Sequence, residues 1–430
     1  MLDLKNIRKN PKEVRKNLAR RKDKVLLERF DNLLKKDEQH RKILWKVEHL
    51  RHKRNEKSLL INKLKKEKKN FKKAISEVQK TVKNLEKEEL KLEKSDKEMN
   101  ILLMRIPNLI DECVPYGEGD KDNVEIRKVG QKPKFSFKPK NHFELLENLN
   151  LIDSERANKV SGHGFFYLKG DLALLDFSLQ KFAIDFLSEK GYIIVEPPLM
   201  LRKKPYEGVT DLDDFENVMY KIEDDDLYLI ATSEHPMASY YMDEILNAKE
   251  LPIKFCGISS CFRREVGSHG KYTKGLFRMH QFNKIEQFIF CKPEDSLKLH
   301  EELQNNCEQL YKKLRIPYRV VDVCTGDLGI IAAKKYDTEM LMADGKYREV
   351  GSNSNCTDYQ ARRLNIRYRE GEGKPIKGFV HTLNNTAIAT SRTIIAIIEN
   401  YQNKDGSITI PKVLQPYMNG KKKILKQKVI

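Results

Sequence analysis

The feature of this 430-residue chain that most restricts its fold is a long segment near its beginning that lacks helix breakers. Residues 12–106 contain neither glycine nor proline, which favours long helices. In the second half of this segment, ten positions follow one another in alternating steps of four and three, and eight of them are apolar. These positions are Phe71, Ile75, Val78, Val82, Leu85, Glu89, Leu92, Asp96, Met99 and Leu103. The spacing predicts one strand of a coiled coil.

The first half of the segment repeats the pattern less regularly. Its apolar positions are Leu26, Phe30, Leu33, Leu44, Val47 and Ile61. Residues 65–70 (KKEKKN) lack any apolar side chain and form the predicted tip of a helical hairpin. At ~1.5 Å per residue, two helices of about 35–40 residues make an arm roughly 50–60 Å long. A coil that dimerises with a second copy is the alternative interpretation.

Nearly all of the excess positive charge lies in this arm. Of the net charge of +19, residues 1–106 carry +17 (34 Lys and Arg against 17 Asp and Glu), whereas residues 107–430 carry +2. A segment of this charge attracts polyanions, because each neutralised phosphate releases counterions. Taken alone, the charge is explained equally well by a solvated, lysine-rich surface.

Cysteine usage and hydropathy restrict the compartment. The seven cysteines are scattered, odd in number and form no C-x-x-C pair, which argues against a disulfide framework and a paired-cysteine zinc site. The opening sequence MLDLKNIRKN lacks a signal-type apolar core, and no stretch approaches the ~18 apolar residues of a membrane span. We therefore expect a reducing, cytoplasmic compartment.

The rest of the chain has the mixed pattern of an α+β domain. Short strand-like runs are separated by turns rather than by regular helices, which favours an antiparallel β-sheet flanked by helices. Neither a G-x-G-x-x-G nor a P-loop signature is present. The predicted organisation is an arm over residues 1–106, a basic linker over 107–140 and one α+β domain over 141–430.

A predicted hairpin over residues 261–286 carries the strongest chemical signal. CFRRE and a second run, residues 276–286, flank a loop whose glycines are Gly267, Gly270 and Gly275. Strand alternation puts Arg263 and Glu265 on one face and Arg264 on the other. One face of the second strand carries Arg278, His280, Phe282, Lys284 and Glu286. Such a face suits a phosphate and a nucleobase, although a solvated face with cross-strand ion pairs is the alternative.

These residues resemble motif 2 of the class II aminoacyl-tRNA synthetases in its seryl form, through FRRE followed by GLFRMHQFNKIE. KGYIIVEPPLM resembles the end of motif 1 (about 171–200), and TLNNTAIATSR followed by ENYQ resembles motif 3 (about 381–402). ATSEH resembles the family's serine-binding loop, and EVGSNSN its ATP and metal segment. The resemblance to the seryl-tRNA synthetase family spans the chain in order, including the arm.

The resemblance implies an ATP site. Arg263 would contact the α-phosphate and the serine carboxylate, Glu265 the adenine amino group and Arg392 the γ-phosphate; these are the implied catalytic residues. Phe282 would stack on adenine, and Arg278 would assist the triphosphate. Glu349 and Ser352 would bind Mg²⁺, which prefers oxygen ligands. The remaining implied ATP-site residues are Arg264, Met279, Val350 and Gly351.

The resemblance also implies a serine site. Thr232 and Glu234, with Ser233 between them, would receive the ammonium group together with Arg263 at the carboxylate. Glu286 and Thr386 would bind the hydroxyl, so that alanine is rejected without editing. No covalent nucleophile is required, and no zinc is expected.

Five positions depart from the family pattern or receive no catalytic role. Gly351 stands where serine or alanine is common, and Thr386 follows Asn385 where glycine-type residues are frequent. Arg264 adds a second cation beside Arg263. His280 and Lys284 are interpreted as structural residues.

The implied partner of the arm is the long variable arm of serine tRNA, bound by shape and phosphate contacts. A homodimer through motif 1 is implied, with the arm of one subunit serving the site of the other. The implied activity is ATP-dependent activation of L-serine and its transfer to tRNA, with selenocysteine tRNA open as a second acceptor. The alternatives are a paralogue that adenylates an amino acid for another acceptor and a catalytically dead RNA-binding coiled coil.

Overall fold

A computed structural model describes residues 1–210, 218–265 and 275–428, and these divide into two compact units, Met1–Pro107 and Asn108–Ile430. The first unit consists of four helices. They are α1 (Leu4–Lys9), α2 (Pro11–Ala19), α3 (Lys24–Lys66) and α4 (Lys72–Met104). The hairpin of α3 and α4 has its turn directly after Lys66, within the predicted tip, and its helices contain 43 and 33 residues.

Ion pairs replace apolar contacts where the seam of the hairpin is polar. Glu89 lies 2.7 Å from Arg51, and Asp96 lies 2.6 Å from His40 on the facing helix. Apolar seam positions such as Leu85 are buried. The polar seam positions therefore pair α3 with α4 in antiparallel register rather than interrupting the coil.

The second unit contains the remaining elements. Its described helices are α5 (His142–Asn148), α6 (Ser154–Ser161), α7 (Asp171–Glu189), α8 (Lys203–Val209), α9 (Glu234–Ala238), α10 (Ser296–Leu314), α11 (Tyr359–Leu364) and α12 (Thr390–Asn400). Its described strands are β1 (Val124–Val129), β2 (Ile152–Asp153), β3 (Tyr167–Leu168), β4 (Ile193–Val195), β5 (Met200–Leu201), β6 (Tyr228–Leu229), β7 (Ile245–Asn247), β8 (Ile253–Phe262), β9 (Gln281–Cys291), β10 (Tyr318–Asp322), β11 (Lys334–Leu341), β12 (Tyr347–Asn355), β13 (Arg367–Arg369), β14 (Ile376–Phe379), β15 (His381–Ala389), β16 (Ile408–Thr409) and β17 (Lys423–Ile424).

Eight of these strands form the main sheet, in the order β1-β10-β11-β12-β15-β9-β8-β4. Every described pairing in it is antiparallel except that of β4 with β8, which is parallel. The predicted fold class, long N-terminal helices followed by an α+β domain on an antiparallel sheet, is therefore confirmed. β1 lies within the segment predicted as a linker (107–140). Part of that segment is therefore an edge strand of the main sheet, paired with β10.

Side-chain alternation along β9 divides its residues between two cores and one polar surface. Ile285 and Ile289 point into the larger core, which is built with helices α7, α10 and α12. On the opposite face, Phe288 and Phe290 enter a second core with α8 and α11. The residues that precede them on that face are Phe282, Lys284 and Glu286. On this face of β9, the polar side chains of Lys284 and Glu286 therefore lie next to the apolar side chains of the second core. In the described part of the chain, no helix is both long and apolar enough for a membrane span.

The seam of the arm gives a first prediction. Leu85 is 3% exposed and Leu90, on the same helix, is 69% exposed. We expect Leu85→Ala to lower the free energy of unfolding by about 2–5 kcal/mol, because it opens a cavity in the seam. Leu90→Ala is the matched control and should change it by less than about 0.5 kcal/mol. Urea unfolding followed by circular dichroism at 222 nm measures both, and equal losses would contradict this packing of the seam.

Candidate active site

A cavity of about 220 Å³ lies on the polar face of β9. The structure brings thirteen of the sequence-predicted site residues to its wall. They are Thr232, Glu234, Arg263, Glu265, Met279, Phe282, Glu286, Glu349, Val350, Gly351, Ser352, Thr386 and Arg392. They come from the start of α9, from β9, β12 and β15, and from the segments that adjoin these elements.

The predicted alternation holds for only part of motif 2. β8 and β9 form the expected hairpin, with Cys261 opposite Phe282. However, β8 ends at Phe262, and Glu265 has a φ of +46°, so a left-handed backbone rather than strand phase directs its side chain. Arg278 and His280 precede β9, and neither lines the cavity. The expectation of one continuous polar strand face from Arg278 to Glu286 is therefore wrong, because the ladder begins only at Gln281.

Two arginines form the cationic side of the cavity, and different residues hold each of them in place. Arg263 donates from Nε to the carbonyl oxygen of Ala231 (3.3 Å), and its guanidinium lies 5.3 Å from the centre of the Phe282 ring. Arg392 donates from Nη1 to the carbonyl oxygen of Glu349 (2.9 Å) and lies 4.9 Å from the centre of the Phe277 ring. Both planar cations are thus held in place by a backbone carbonyl and an aromatic ring.

The hydroxyl of Ser352 and the carboxylate of Glu349 lie next to Arg392. Ser352 Oγ donates to the Glu349 carboxylate at 3.3 Å, and Arg392 Nη1 lies 3.4 Å from Glu349 Oε1. Desolvation opposes the charge of this carboxylate, but Arg392, Lys335 and Arg263 outweigh it and hold the pKa of Glu349 below its usual value. The result is an ionised carboxylate beside a hydroxyl on the cavity wall.

The opposite side of the cavity holds a buried ion pair. Lys284 Nζ lies 2.5 Å from Glu286 Oε2, with 7% and 1% of the two side chains exposed. Thr386 Oγ1 donates to the same oxygen at 3.2 Å. Thr386 reaches it because it lies directly opposite Glu286 in the antiparallel register of β15 and β9, where facing side chains share one side of the sheet. Burial raises the pKa of Glu286, whereas Lys284 acts against that rise.

A second carboxylate faces this pair. Glu234 accepts from Gln360 Nε2 at 3.1 Å, and Gln360 in turn accepts from Thr382 Oγ1 at 2.7 Å. Burial, together with the nearby charge of Glu286, raises the pKa of Glu234 to about 7. Near neutrality the proton on Glu234 is therefore poised to leave when a cation binds beside it.

The two departures from the family pattern are in direct contact. A β-carbon added to Gly351 would lie 2.9 Å from Thr386 Cβ and 3.3 Å from its Cγ2. The space that a side chain at position 351 would need is thus taken by Thr386. Glycine at one position accommodates the branched side chain at the other.

Three sequence-predicted residues do not line the cavity. Ser233 is fully buried, and its Oγ lies 2.8 Å from where a β-carbon on Gly257 would be. Arg264 is exposed. Arg278 pairs with Glu265, Nη1 to Oε2, at 2.9 Å. The hairpin loop, including Gly267 and Gly270, lies outside the described residues.

Sequence reasoning assigned no role to six other lining residues. They are Phe277, Lys284, Ser354, Asn384, Ala389 and Ser391. Lys284 was interpreted as structural, although strand alternation already placed it between Phe282 and Glu286. Its side chain lines the cavity, which agrees with that alternation and leaves its role a prediction. His280 lies outside the cavity, 2.8 Å from Tyr220 Oη and from the carbonyl oxygen of Arg263.

Two family models match the chain. The tRNA synthetase class II core domain (G, H, P, S and T) matches residues 219–401 and so contains the whole cavity. The seryl-tRNA synthetase N-terminal domain matches residues 1–110, which contain the helical hairpin.

Curated relatives and solved structures agree with these matches. The chain is 53% identical to a serine–tRNA ligase of Methanospirillum hungatei, over 98% of this chain and 99% of the relative. It matches the structure of seryl-tRNA synthetase from Pyrococcus horikoshii complexed with ATP with a TM-score of 0.94 at 45% identity, covering 100% of both chains. The cytoplasmic serine–tRNA ligase of Naegleria fowleri in complex with AMP gives 0.85 at 36% identity, over 97% of this chain and 96% of that one.

The contact between Gly351 and Thr386 gives a second prediction. We expect Gly351→Ala to cost about 1–3 kcal/mol of stability, because the added β-carbon meets Thr386 Cβ. In a Thr386→Gly background only the carbonyl oxygen of residue 386 remains near the added β-carbon, at 3.3 Å, so the same change should cost clearly less.

Gly371→Ala is the matched control, since the nearest atom to its new β-carbon is 4.0 Å away. Thermal unfolding of the four proteins of the cycle measures the coupling. Equal costs in both backgrounds would show that the two positions are independent.

Proposed function

The chain belongs to the seryl-tRNA synthetase family, and we infer that it activates L-serine with ATP and transfers the serine to the 3′-terminal adenosine of serine tRNA. One observation supports this activity most directly: a single cavity has arginines on one side and buried carboxylates beside a hydroxyl on the other. That arrangement fits a triphosphate and a hydroxylated amino acid at the same time.

We propose that the cationic side binds ATP. Arg263 meets the α-phosphate and the serine carboxylate, and Arg392 meets the γ-phosphate, because planar guanidinium groups match phosphate oxygens. Phe282 stacks on adenine, and Arg263 must first move away from the face of that ring. Glu265 accepts a hydrogen bond from the adenine amino group once its ion pair with Arg278 is broken. Both side chains therefore exchange a contact within the protein for one with the nucleotide.

We propose that the carboxylate side binds serine. Glu234 and Thr232 receive the ammonium group, and Glu286 with Thr386 receives the hydroxyl. A buried carboxylate that is left without its hydroxyl donor is costly, so alanine is rejected. Threonine carries the same hydroxyl, and the space occupied by Thr386 against Gly351 supports its exclusion by size.

Glu349 and Ser352 are the residues that we propose to hold Mg²⁺. Among the described residues, no three acidic, histidine or cysteine side chains converge on one metal position. Mg²⁺ does not need such a cluster, since it is usually held by one or two protein oxygens together with phosphate and water. The ionised Glu349 carboxylate beside the Ser352 hydroxyl fits that donor set. When bound, the ion neutralises negative charge on the phosphates.

The chemistry itself needs position and charge rather than a nucleophilic side chain. A serine carboxylate oxygen attacks the α-phosphorus while the bond to pyrophosphate breaks, giving seryl-adenylate and pyrophosphate. Arg263 offsets the repulsion between the two anions that approach each other, and Arg392 stabilises charge on the leaving group. A ribose hydroxyl of the terminal adenosine then attacks the serine carbonyl carbon, and AMP leaves.

We propose that the helical arm binds the tRNA. Its net charge of +17 supports phosphate contacts, and its rigid antiparallel hairpin suits recognition of a long variable arm by shape. We also propose a homodimer through motif 1, whose exposed apolar side chains include Phe177, Ile193 and Ile194. The family membership and the reduced cysteines support a cytoplasmic location.

Serine-dependent ATP–pyrophosphate exchange gives a third prediction. We expect exchange with serine but not with threonine, alanine or glycine. Glu286→Gln should lower kcat/KM for serine about 10- to 150-fold, because it removes a charged acceptor worth ~1.5–3 kcal/mol while keeping the side-chain shape. The exposed Glu370→Gln is the matched control. No exchange with any amino acid by the folded protein in the presence of magnesium would contradict the proposed activity.

A fourth prediction concerns the arm. Trp45 is the only tryptophan of the chain, and it is 63% exposed on α3, stacked on His49 with ring centres 5.1 Å apart. We expect serine tRNA to change the emission of Trp45, with an affinity that falls as salt rises. A tRNA without a long variable arm is the control and should bind more weakly. Unchanged emission at RNA concentrations that saturate charging would argue against contact with this part of α3.

A further inference from the structure

Lys284 is a buried cation without an assigned role. It is 6% exposed, and its Nζ lies 2.5 Å from Glu286 Oε2 in the cavity wall. Lysines are seldom buried to this degree unless they are paired, because removing the ammonium group from water is costly. A purely structural lysine has no reason to occupy the floor of a ligand cavity, so the position calls for a chemical explanation.

The contacts of Glu286 divide its two carboxylate oxygens. Lys284 Nζ and Thr386 Oγ1 both approach Oε2, at 2.5 and 3.2 Å. Within the part of the chain that the structure describes, no donor lies on Oε1. Because Glu286 lines the cavity, Oε1 is the oxygen that remains for a ligand. Lys284 thereby restricts the carboxylate to one orientation.

Charge provides a second, independent argument. Glu234 and Glu286 both line the cavity; burial raises the pKa of each, and the charge of Glu286 raises that of Glu234 further. Lys284 and Arg263 act against that effect on each of them. The other titratable groups around Lys284 are His235 and Cys261. His235 has its pKa lowered to about 3 by burial and by these two cations, so it contributes no charge near neutrality.

We propose that Lys284 is a positioning residue for the amino acid substrate: it holds Glu286 Oε2 in place, so that Oε1 accepts a hydrogen bond from serine. The inference rests on the proposed function, since it assumes that serine occupies this side of the cavity. Lys284 touches neither substrate nor reacting atoms. It acts through Glu286, and its removal affects serine rather than ATP.

A double-mutant cycle of Lys284→Met and Glu286→Gln tests this, with serine-dependent ATP–pyrophosphate exchange as the measurement. Lys284→Met should raise the KM for serine about 30-fold or more, as expected when a buried, paired charge loses its partner. The KM for ATP should change by no more than about twofold. In the Glu286→Gln background, Lys284→Met should raise the KM for serine much less, only by the part that acts through the charge of Glu234. The double variant carries neither buried charge, so it folds even if Lys284→Met alone does not.

The pH profile separates this role from a structural one. In the wild type, the KM for serine should rise as the pH falls through about 7, because Glu234 takes up a proton. Without the Lys284 cation, the pKa of both carboxylates is higher, so in Lys284→Met this rise should begin at a higher pH. Lys284→Arg keeps the charge and should keep the wild-type profile.

Three results would overturn the proposal. They are an unchanged serine KM in Lys284→Met, an equal loss in the Glu286→Gln background, and an unshifted pH profile in Lys284→Met. An equal loss in both backgrounds would mean that Lys284 contacts substrate itself. If the wild-type protein shows no serine-dependent exchange, the proposed function has failed instead, which is a distinct outcome.

Discussion

The second unit depends on holding charges of both signs out of water in one cavity. An unpaired buried charge is strongly destabilising, so each ionised group of the cavity needs a partner close to it. Lys284 and Glu286 pair along β9, and Glu349 on β12 pairs with Arg392 at the start of α12. The pair of Glu349 with Arg392 and the hydrogen bond from Thr386 to Glu286 join different elements, and the two apolar cores that enclose β9 hold those elements in place. The sheet is thus a scaffold for charge placement.

A different balance operates in the arm. A two-helix hairpin buries little apolar surface, so its stability rests on a narrow seam and on the pairing of its polar seam positions. Arg51 with Glu89 and His40 with Asp96 provide that pairing while leaving most lysines exposed. Because the hairpin has only a small apolar core, most of its surface remains available to a charged partner. A thicker apolar core would stabilise the helices without adding to the basic surface that a nucleic acid needs.

Sequence reasoning predicted the arm, the fold class and thirteen residues of the cavity wall, and its failures have local physical causes. It extended the strand of motif 2 back to Arg278, although the ladder begins at Gln281. It placed Glu265 by strand phase, whereas a left-handed backbone directs that side chain. It interpreted Lys284 as structural without assigning it the buried pair with Glu286. The first two errors came from extending strand alternation beyond the ends of the strands. The third came from interpreting a side chain without knowing its contacts.

The sequence by itself determined what is local: helices in a segment without breakers, a seam at coiled-coil spacing, and ordered motifs that carry the family's chemistry. Only the tertiary structure decided which side chains share a carboxylate or a space. Glu286 and Thr386 are 100 residues apart, and the antiparallel register of β9 and β15 places them opposite each other. Thr386 and Gly351 likewise meet only because β12 and β15 are neighbours. Such pairings depend on the register between distant strands, and no local period encodes that register.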